Sequence, residues 1–279
     1  MKEFKDKVLV VTGGSSGIGR QIAKEGALRG MKIVINGFTQ AHVDETLDML
    51  HGLGAEAYGL CADISKLETI QQLFDLTMEK FGRVDMLVNN AGVSVSGPLW
   101  EIPIKDMQWM IEVNQMSHLY GTKIFLPQMI KQGTECEIVN TESTAGLMTS
   151  GNAIMYHVTK HAGVAASECE YLPLRQRGLE RIHVHVLVPA FVQTRIHDAD
   201  LRRPERFAID DDPYYESQEF KSGYIRSKKQ VLGGQPIDYV GECVFTAIED
   251  EKFYIFTHPE SQVVAGMRVK RMCSGENPQ

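Results

Sequence analysis

Two kinds of block alternate along this chain. The first kind is short, apolar and rich in β-branched residues: KVLVVTGG (7–14), KIVING (32–37), EAYGLCADI (56–64), VDMLVNNAG (84–92), CEIVNTES (136–143), HVHVLVPA (183–190) and FYIFTHPE (253–260). The second kind is longer, with apolar positions three or four apart, as at Ile18, Ile22 and Ala23 before Gly30, or at Val43, Leu47 and Leu50. KLETIQQLFDLTMEKFG and PIDYVGECVFTAIEDEK repeat that spacing, and SQVVAGMRVKRM forms a short tail of the same kind. MIEVNQMSHLYGTKIFLPQMIKQ is apolar nearly all round, so it predicts a helix buried on more than one face. The short runs predict buried strands and the long ones helices. Strands apolar on both faces, separated by helices, imply a parallel sheet covered on both sides. Right-handed crossovers then make it a doubly wound α/β sheet of about seven strands. Residues 193–235 break the alternation, being charged, aromatic and irregular. They predict an excursion from a single domain spanning 1–279, not a second domain.

Composition narrows the partners. A chain of 279 residues suits one large α/β domain. The formal charge of -7 argues against nucleic acid. No apolar run approaches the roughly 20 residues that cross a bilayer, and the first residues, MKEFKDKVLVV, lack the apolar core of a secretory signal. Five scattered cysteines without a C-x-x-C read as reduced thiols, and the expected location is cytoplasmic. His183 and His185 share a strand face, but no carboxylate or cysteine is spaced along the sequence to complete a site with them, so no metal is expected.

Candidate chemistry begins at TGGSSGIG, residues 12–19, where the first strand gives way to the first helix. Gly13, Gly17 and Gly19 allow a tight turn and a close approach of pyrophosphate to the helix N-terminus. Ser15, Ser16 and Ile18 complete that cradle. A second constellation is Tyr156 with Lys160, four residues apart and therefore on one helix face. A free phenol ionises near pH 10. A neighbouring ammonium favours the phenolate and makes the group a usable acid–base at neutral pH.

The T-G-x-x-x-G-x-G spacing, NNAG at 89–92 and Y-x-x-x-K together closely resemble the single-domain short-chain dehydrogenases/reductases, over Val8 to about Val192. The resemblance implies a seven-stranded Rossmann sheet and four catalytic residues: Asn114, Ser143, Tyr156 and Lys160. It implies hydride transfer between nicotinamide and a carbinol or carbonyl carbon, with Tyr156 moving the hydroxyl proton. Ser143 would hydrogen-bond the substrate oxygen. Lys160 would tune the phenol and hold the nicotinamide ribose, and Asn114 would hold a water that relays protons from the lysine. The same resemblance places Asp63, with Ile64 beside it, at the adenine, and Asn90, Ala91 and Gly92 along the adenine-side ribose. Pro189, Val192 and Thr194 would hold the carboxamide, although Ala190 replaces the family's usual glycine.

Nucleotide preference is read at the end of the second strand. There Asn36, Gly37, Phe38 and Thr39 stand, with Gly37 where an NAD-selecting acid would fall. The missing carboxylate leans the expectation to NADP over NAD, without a basic residue in the loop to settle it. Residues 193–235 are expected to be a substrate lid. With Leu147, Met148, Met155, Phe191, Tyr214, Tyr215 and Phe220 as candidate walls, they suggest a bulky hydrophobic secondary alcohol or ketone, and the resemblance to long-lid members of the family implies a hydroxysteroid. An aryl alcohol, a 3-oxoacyl ketone and a non-catalytic nucleotide-binding regulator are the alternatives. The apolar helices at about 103–131 and 155–172 could pair in a homodimer or homotetramer, as in relatives.

Overall fold

The computed structural model describes residues 1–209 and 211–278. Seven strands carry the sheet: β1 (Val8–Val11), β2 (Lys32–Gly37), β3 (Ala57–Cys61), β4 (Met86–Asn89), β5 (Cys136–Thr141), β6 (Ile182–Val188) and β7 (Tyr254–Phe256). All pair in parallel, in the order β3-β2-β1-β4-β5-β6-β7. The helices are α1 (Gly17–Leu28), α2 (Gln40–Gly52), α3 (Leu67–Phe81), α4 (Ile104–Ile111), α5 (Ser117–Gln132), α6 (Ile154–Gln176), α7 (Pro213–Glu216), α8 (Gln218–Leu232), α9 (Tyr239–Glu249) and α10 (Ser261–Ser274). The doubly wound Rossmann-type sheet expected from the alternation is the fold observed.

Both faces of the sheet are covered. Ile22 and Ala23 of α1, Val43 and Leu50 of α2, and Val240 and Val244 of α9 bury one face. Leu73 of α3, Trp109 of α4, Phe125 of α5 and Met155 of α6 bury the other. Strand order reverses between β1 and β4. The crevice beyond their C-terminal ends is where such sheets bind ligands.

Two segments differ from the expected elements. The apolar stretch across 103–131 is not one regular helix: α4 runs through a π turn, Glu112–Met116, into α5. At its centre the Asn114 amide donates to Val93 O at 2.9 Å and to Thr159 Oγ1 at 3.1 Å, and accepts from Val93 N at 2.8 Å. These bonds staple the helix to the segment after β4. Such insertions free a backbone carbonyl from the helical ladder.

The 193–235 stretch, described except for Asp210, is more regular than its composition suggests, because α8 is 15 residues long. Of the α8 side chains only Val231 is buried, so an apolar stripe hardly exists to be read. The stretch leaves and rejoins the domain at one neck: Gln193 N donates to Gln235 O and Gln235 N to Phe191 O, each at 3.0 Å. Among the described residues no helix is long and apolar enough to cross a membrane.

Candidate active site

The glycine loop after β1 is braced by the segment after β4. Thr12 Oγ1 accepts from Asn90 N at 2.9 Å and Ala91 N at 3.2 Å, while Asn90 Nδ2 donates to Thr12 O at 3.0 Å. Gly13 and Gly17 adopt φ of +61° and +54°, where a side chain is strained. A Cβ on Gly19 would lie 2.6 Å from Gly13 O. Ser16 precedes α1 without capping it, and the first turn of α1 holds no acid. The first N–H groups of α1 therefore point at the crevice without a side-chain partner, beside the positive end of the helix dipole. That donor set fits the pyrophosphate of a dinucleotide. Ser15 is buried, its carbonyl held by Thr46 Oγ1 at 3.1 Å, and Ile18 packs on the α1 side of the core.

The end of β2 is crowded. A Cβ on Gly37 would stand 2.6 Å from Ser15 Cβ and 2.7 Å from Val43 Cγ2. Asn36, expected to face the nucleotide, spends its side-chain amide on Leu60 O and Ala62 O, both at 3.1 Å. Phe38 is exposed beside it and Thr39 precedes α2. Asp63 Oδ1 accepts from Ser65 N at 3.1 Å, and Arg206 Nε donates to Asp63 Oδ2 at 3.2 Å. Arg206 also meets Glu112 at 2.6 Å. This arginine, from the 193–235 stretch, reaches over the expected adenine pocket, and nothing in its sequence context signals that contact. Ile64 next to Asp63 is buried in the core.

Tyr156 and Lys160 lie in the first turns of α6, with the Lys160 Nζ 5.9 Å from the Tyr156 ring centroid. Lys160 is buried and donates to Thr141 O at 2.7 Å. Its Nζ also stands 3.4 Å from Glu142 Oε2. Ser143 caps a short 3-10 turn by accepting from Ala145 N at 3.1 Å. His157 pins that turn to α6: its Nδ1 donates to Ala145 O and Met148 O at 2.9 Å, and its Nε2 accepts from Ser150 Oγ at 2.8 Å. His157 thus fixes the Ser143 turn against the helix that carries Tyr156. Pro189 O accepts from Thr144 N at 2.9 Å and from the Ser143 hydroxyl at 3.5 Å. Val192 is buried at the neck, and Thr194 lies across the crevice from Gly17, its Cγ2 3.7 Å from where a Cβ there would stand. Gly92 leaves room beside Asn114 Oδ1 and Lys160 Nζ, at 3.7 and 3.9 Å from a Cβ built on it.

Across residues 7–204 the chain matches the family model described as short chain dehydrogenase. The chain belongs to the short-chain dehydrogenase family. A "CLA biosynthesis dehydrogenase/reductase" of Lactiplantibacillus plantarum is 38% identical, across 100% of this chain and 97% of that protein. A "C alpha-dehydrogenase" of Sphingobium sp. strain SYK-6 is 30% identical, across 93% of this chain and 83% of its own. The crystal structure of a short-chain dehydrogenase/reductase from Burkholderia phymatum in complex with NAD superposes with a TM-score of 0.96 at 36% identity, covering 100% of this chain and 98% of that one.

Within this short-chain dehydrogenase, several candidate wall residues do other work. Tyr214, Tyr215 and Phe220 pack on one another, with centroids 4.7 to 5.6 Å apart. The Tyr214 hydroxyl donates to Ser96 O and the Tyr215 hydroxyl to Asp106 Oδ2. Burial pushes both hydroxyls up to about 12. Arg203 pairs with the buried Asp106 and stacks over Trp109 and Tyr215, at 5.1 and 5.0 Å. These groups anchor the 193–235 stretch. Met155 is buried, Leu147 and Met148 are half-buried, and Phe191 is exposed. Beneath the stretch a small pocket is lined by Ser94, Ser96, His197, Asp200, Phe220 and Tyr224.

One reading from sequence spacing needs correction. A carboxylate does complete the His183–His185 face: Glu137 pairs with His183 in the β5–β6 register, so it comes from the neighbouring strand. Glu137 Oε2 lies 2.8 Å from His185 Nε2 and 3.5 Å from His183 Nδ1, and the Met1 ammonium donates to Oε1 at 2.5 Å. Burial alone would raise the Glu137 carboxyl, but these hydrogen bonds and positive charges hold it down to about 2. Cations already satisfy the carboxylate. The cluster sits at the N-terminal edge of the sheet, opposite the crevice.

Proposed function

We propose that this NAD(P)-dependent oxidoreductase interconverts a secondary alcohol and its ketone on a long or bulky apolar substrate, with NAD as the working nucleotide. The observation that carries the substrate reading is coverage. The alignment to the relative named for CLA biosynthesis, 38% identical overall, spans the whole chain, including 193–235. In this reading that stretch is the substrate lid, so the likeness extends to the part that selects the substrate. The C alpha-dehydrogenase likeness also spans nearly the whole chain. The name of the whole-length CLA biosynthesis relative puts a hydroxy fatty acid ahead of a hydroxysteroid in this proposal.

NAD is preferred here against the lean drawn from Gly37 alone. Residues 36–39 offer no cation to a 2′-phosphate, and a structure that superposes end to end, with a TM-score of 0.96, is an NAD complex. The dinucleotide would rest on Gly13, Ser15, Ser16, Gly17, Ile18 and Gly19, with Asp63, Asn90, Gly92, Val192 and Thr194 around it. When bound, it supplies the hydride acceptor or donor. Tyr156 takes or returns the hydroxyl proton, Ser143 holds the substrate oxygen, and Lys160 favours the phenolate. The Asn114 side chain is committed to Val93 and Thr159, so its share in a water relay falls to the backbone freed by the π turn. Homodimerisation through α4–α5 and α6 is supported by Ile111, Ile130, Val158 and Leu172, all exposed on those helices.

The test follows absorbance of the reduced nicotinamide with NAD and NADP separately, against a hydroxy fatty acid, a hydroxysteroid and an aryl carbinol. Turnover of the fatty acid with NAD is expected. Preference for NADP, or turnover of the steroid alone, would overturn the corresponding half of the proposal.

A further inference from the structure

Glu142 is a buried carboxylate whose two oxygens accept no hydrogen bond among the described residues. It follows β5 and precedes Ser143, and two groups face it. Lys160 Nζ is 3.4 Å from Oε2, and His118 Nδ1 of α5 is 3.4 Å from Oε1. His118 is also buried. Room for the acid is built into α6: a Cβ on Gly163 would overlap the Glu142 carboxylate. Glu170, further along α6, is the next acid; burial raises it first, and the charge of Glu142 adds to that while His118 opposes it. Tyr156 stands one helical turn before Lys160, its ring centroid 5.9 Å from Nζ.

The protonation of this set follows from its geometry. His118 Nε2 lies 2.9 Å from Ala91 O, and a carbonyl only accepts, so Nε2 carries a hydrogen. In a neutral ring Nδ1 would then offer a lone pair to an ionised Glu142, two acceptors facing each other out of water. One further proton must therefore reside on Nδ1 or on the carboxyl. With it, Lys160, Glu142 and His118 together carry one positive charge. Without it they carry none, and Lys160 loses much of its influence on the phenol.

We propose that Glu142 and His118 share a proton behind Lys160 and thereby set how strongly Lys160 favours the Tyr156 phenolate. Both are positioning residues that act through the lysine. The proposal rests on Tyr156 as the proton-transfer group, but its test needs no substrate. The phenolate of Tyr156 is followed by ultraviolet difference titration, as the parent minus a Tyr156→Phe control. The same difference is taken in Glu142→Gln and His118→Gln backgrounds, with circular dichroism confirming the fold of each.

Glu142→Gln keeps the one positive charge of the set and places it wholly on the lysine, so the Tyr156 midpoint should stay at or below the parent's. His118→Gln leaves Glu142 countering the lysine alone, so it should rise. The two variants should differ by about tenfold or more in proton affinity, about one pH unit. Glu142→Asp, which keeps the charge, should return the midpoint towards the parent. Midpoints that move together, or not at all, overturn the proposal. Should a variant fail to fold, nitrogen NMR of the parent's imidazoles decides. His118 bearing both ring hydrogens, or Nε2–H beside a protonated Glu142, supports the shared proton. A neutral ring beside an ionised Glu142 sinks it. Failure of the alcohol panel would bear on the substrate reading alone and leave these titrations intact.

Discussion

Removing one oxygen from Tyr156 should separate binding from chemistry. Tyr156→Phe keeps the ring on α6 and the Lys160–Thr141 hydrogen bond, so NAD should still quench protein fluorescence. Turnover should fall roughly 10²- to 10⁴-fold, the usual worth of a positioned acid–base. Turnover within threefold of the parent would exclude Tyr156 from proton transfer. Gly37 supports a less obvious expectation. Restoring the family's acid by Gly37→Asp should not sharpen selection for NAD, because its Cβ would meet Ser15 and Val43 at 2.6 and 2.7 Å. It should weaken NAD and NADP alike, as titration of each nucleotide would reveal. Tyr156 and Lys160 were legible in the sequence because one helical turn joins them. Glu142 with His118, and Arg206 with Asp63, were not, because each pair is brought together only by packing between separate elements.

Among the elements, the strands and the helices flanking them could be read because burial on a sheet face imposes a period on the residues. The π turn at Asn114 could not: the stretch around it is apolar nearly all round, so the rotation of the helix face by one extra residue leaves no mark on the pattern. Helix α8 escaped for the opposite reason, having almost no buried face. What holds its stretch down is instead a few polar anchors, chiefly Asp106 with Arg203 and Tyr215. Asp106→Asn would strand the largely buried Arg203 without its counter-charge, a loss of about 3 kcal/mol for a broken buried pair. Limited proteolysis should then cut first within 193–235, while the sheet stays intact by circular dichroism. Cleavage sites unchanged from the parent would show that the aromatic packing alone fixes the stretch.

At the scale of the whole molecule, the Glu137 cluster ties the N-terminus to β5 and β6 and makes folding depend on pH from two sides. Glu137 falls from its ordinary 4.5 to about 2 on folding. A depressed carboxyl contributes stability above its unfolded value and loses it as pH falls through the folded one, here between about 4.5 and 2. The shift corresponds to about 3 kcal/mol. His183 is raised above its ordinary 6.5, first by its hydrogen bond to Glu137. Its contribution is complete below that value and fades as pH rises through the raised one. Glu137→Gln removes the source of both effects. Thermal melts of parent and variant should therefore differ most between about pH 4.5 and 6.5, and converge as acid protonates Glu137. The gap should also narrow as pH rises through the raised His183 value. A difference in melting temperature that stays constant from acid to alkali would mean that the cluster contributes through shape alone, and that its charges balance equally well in the unfolded chain.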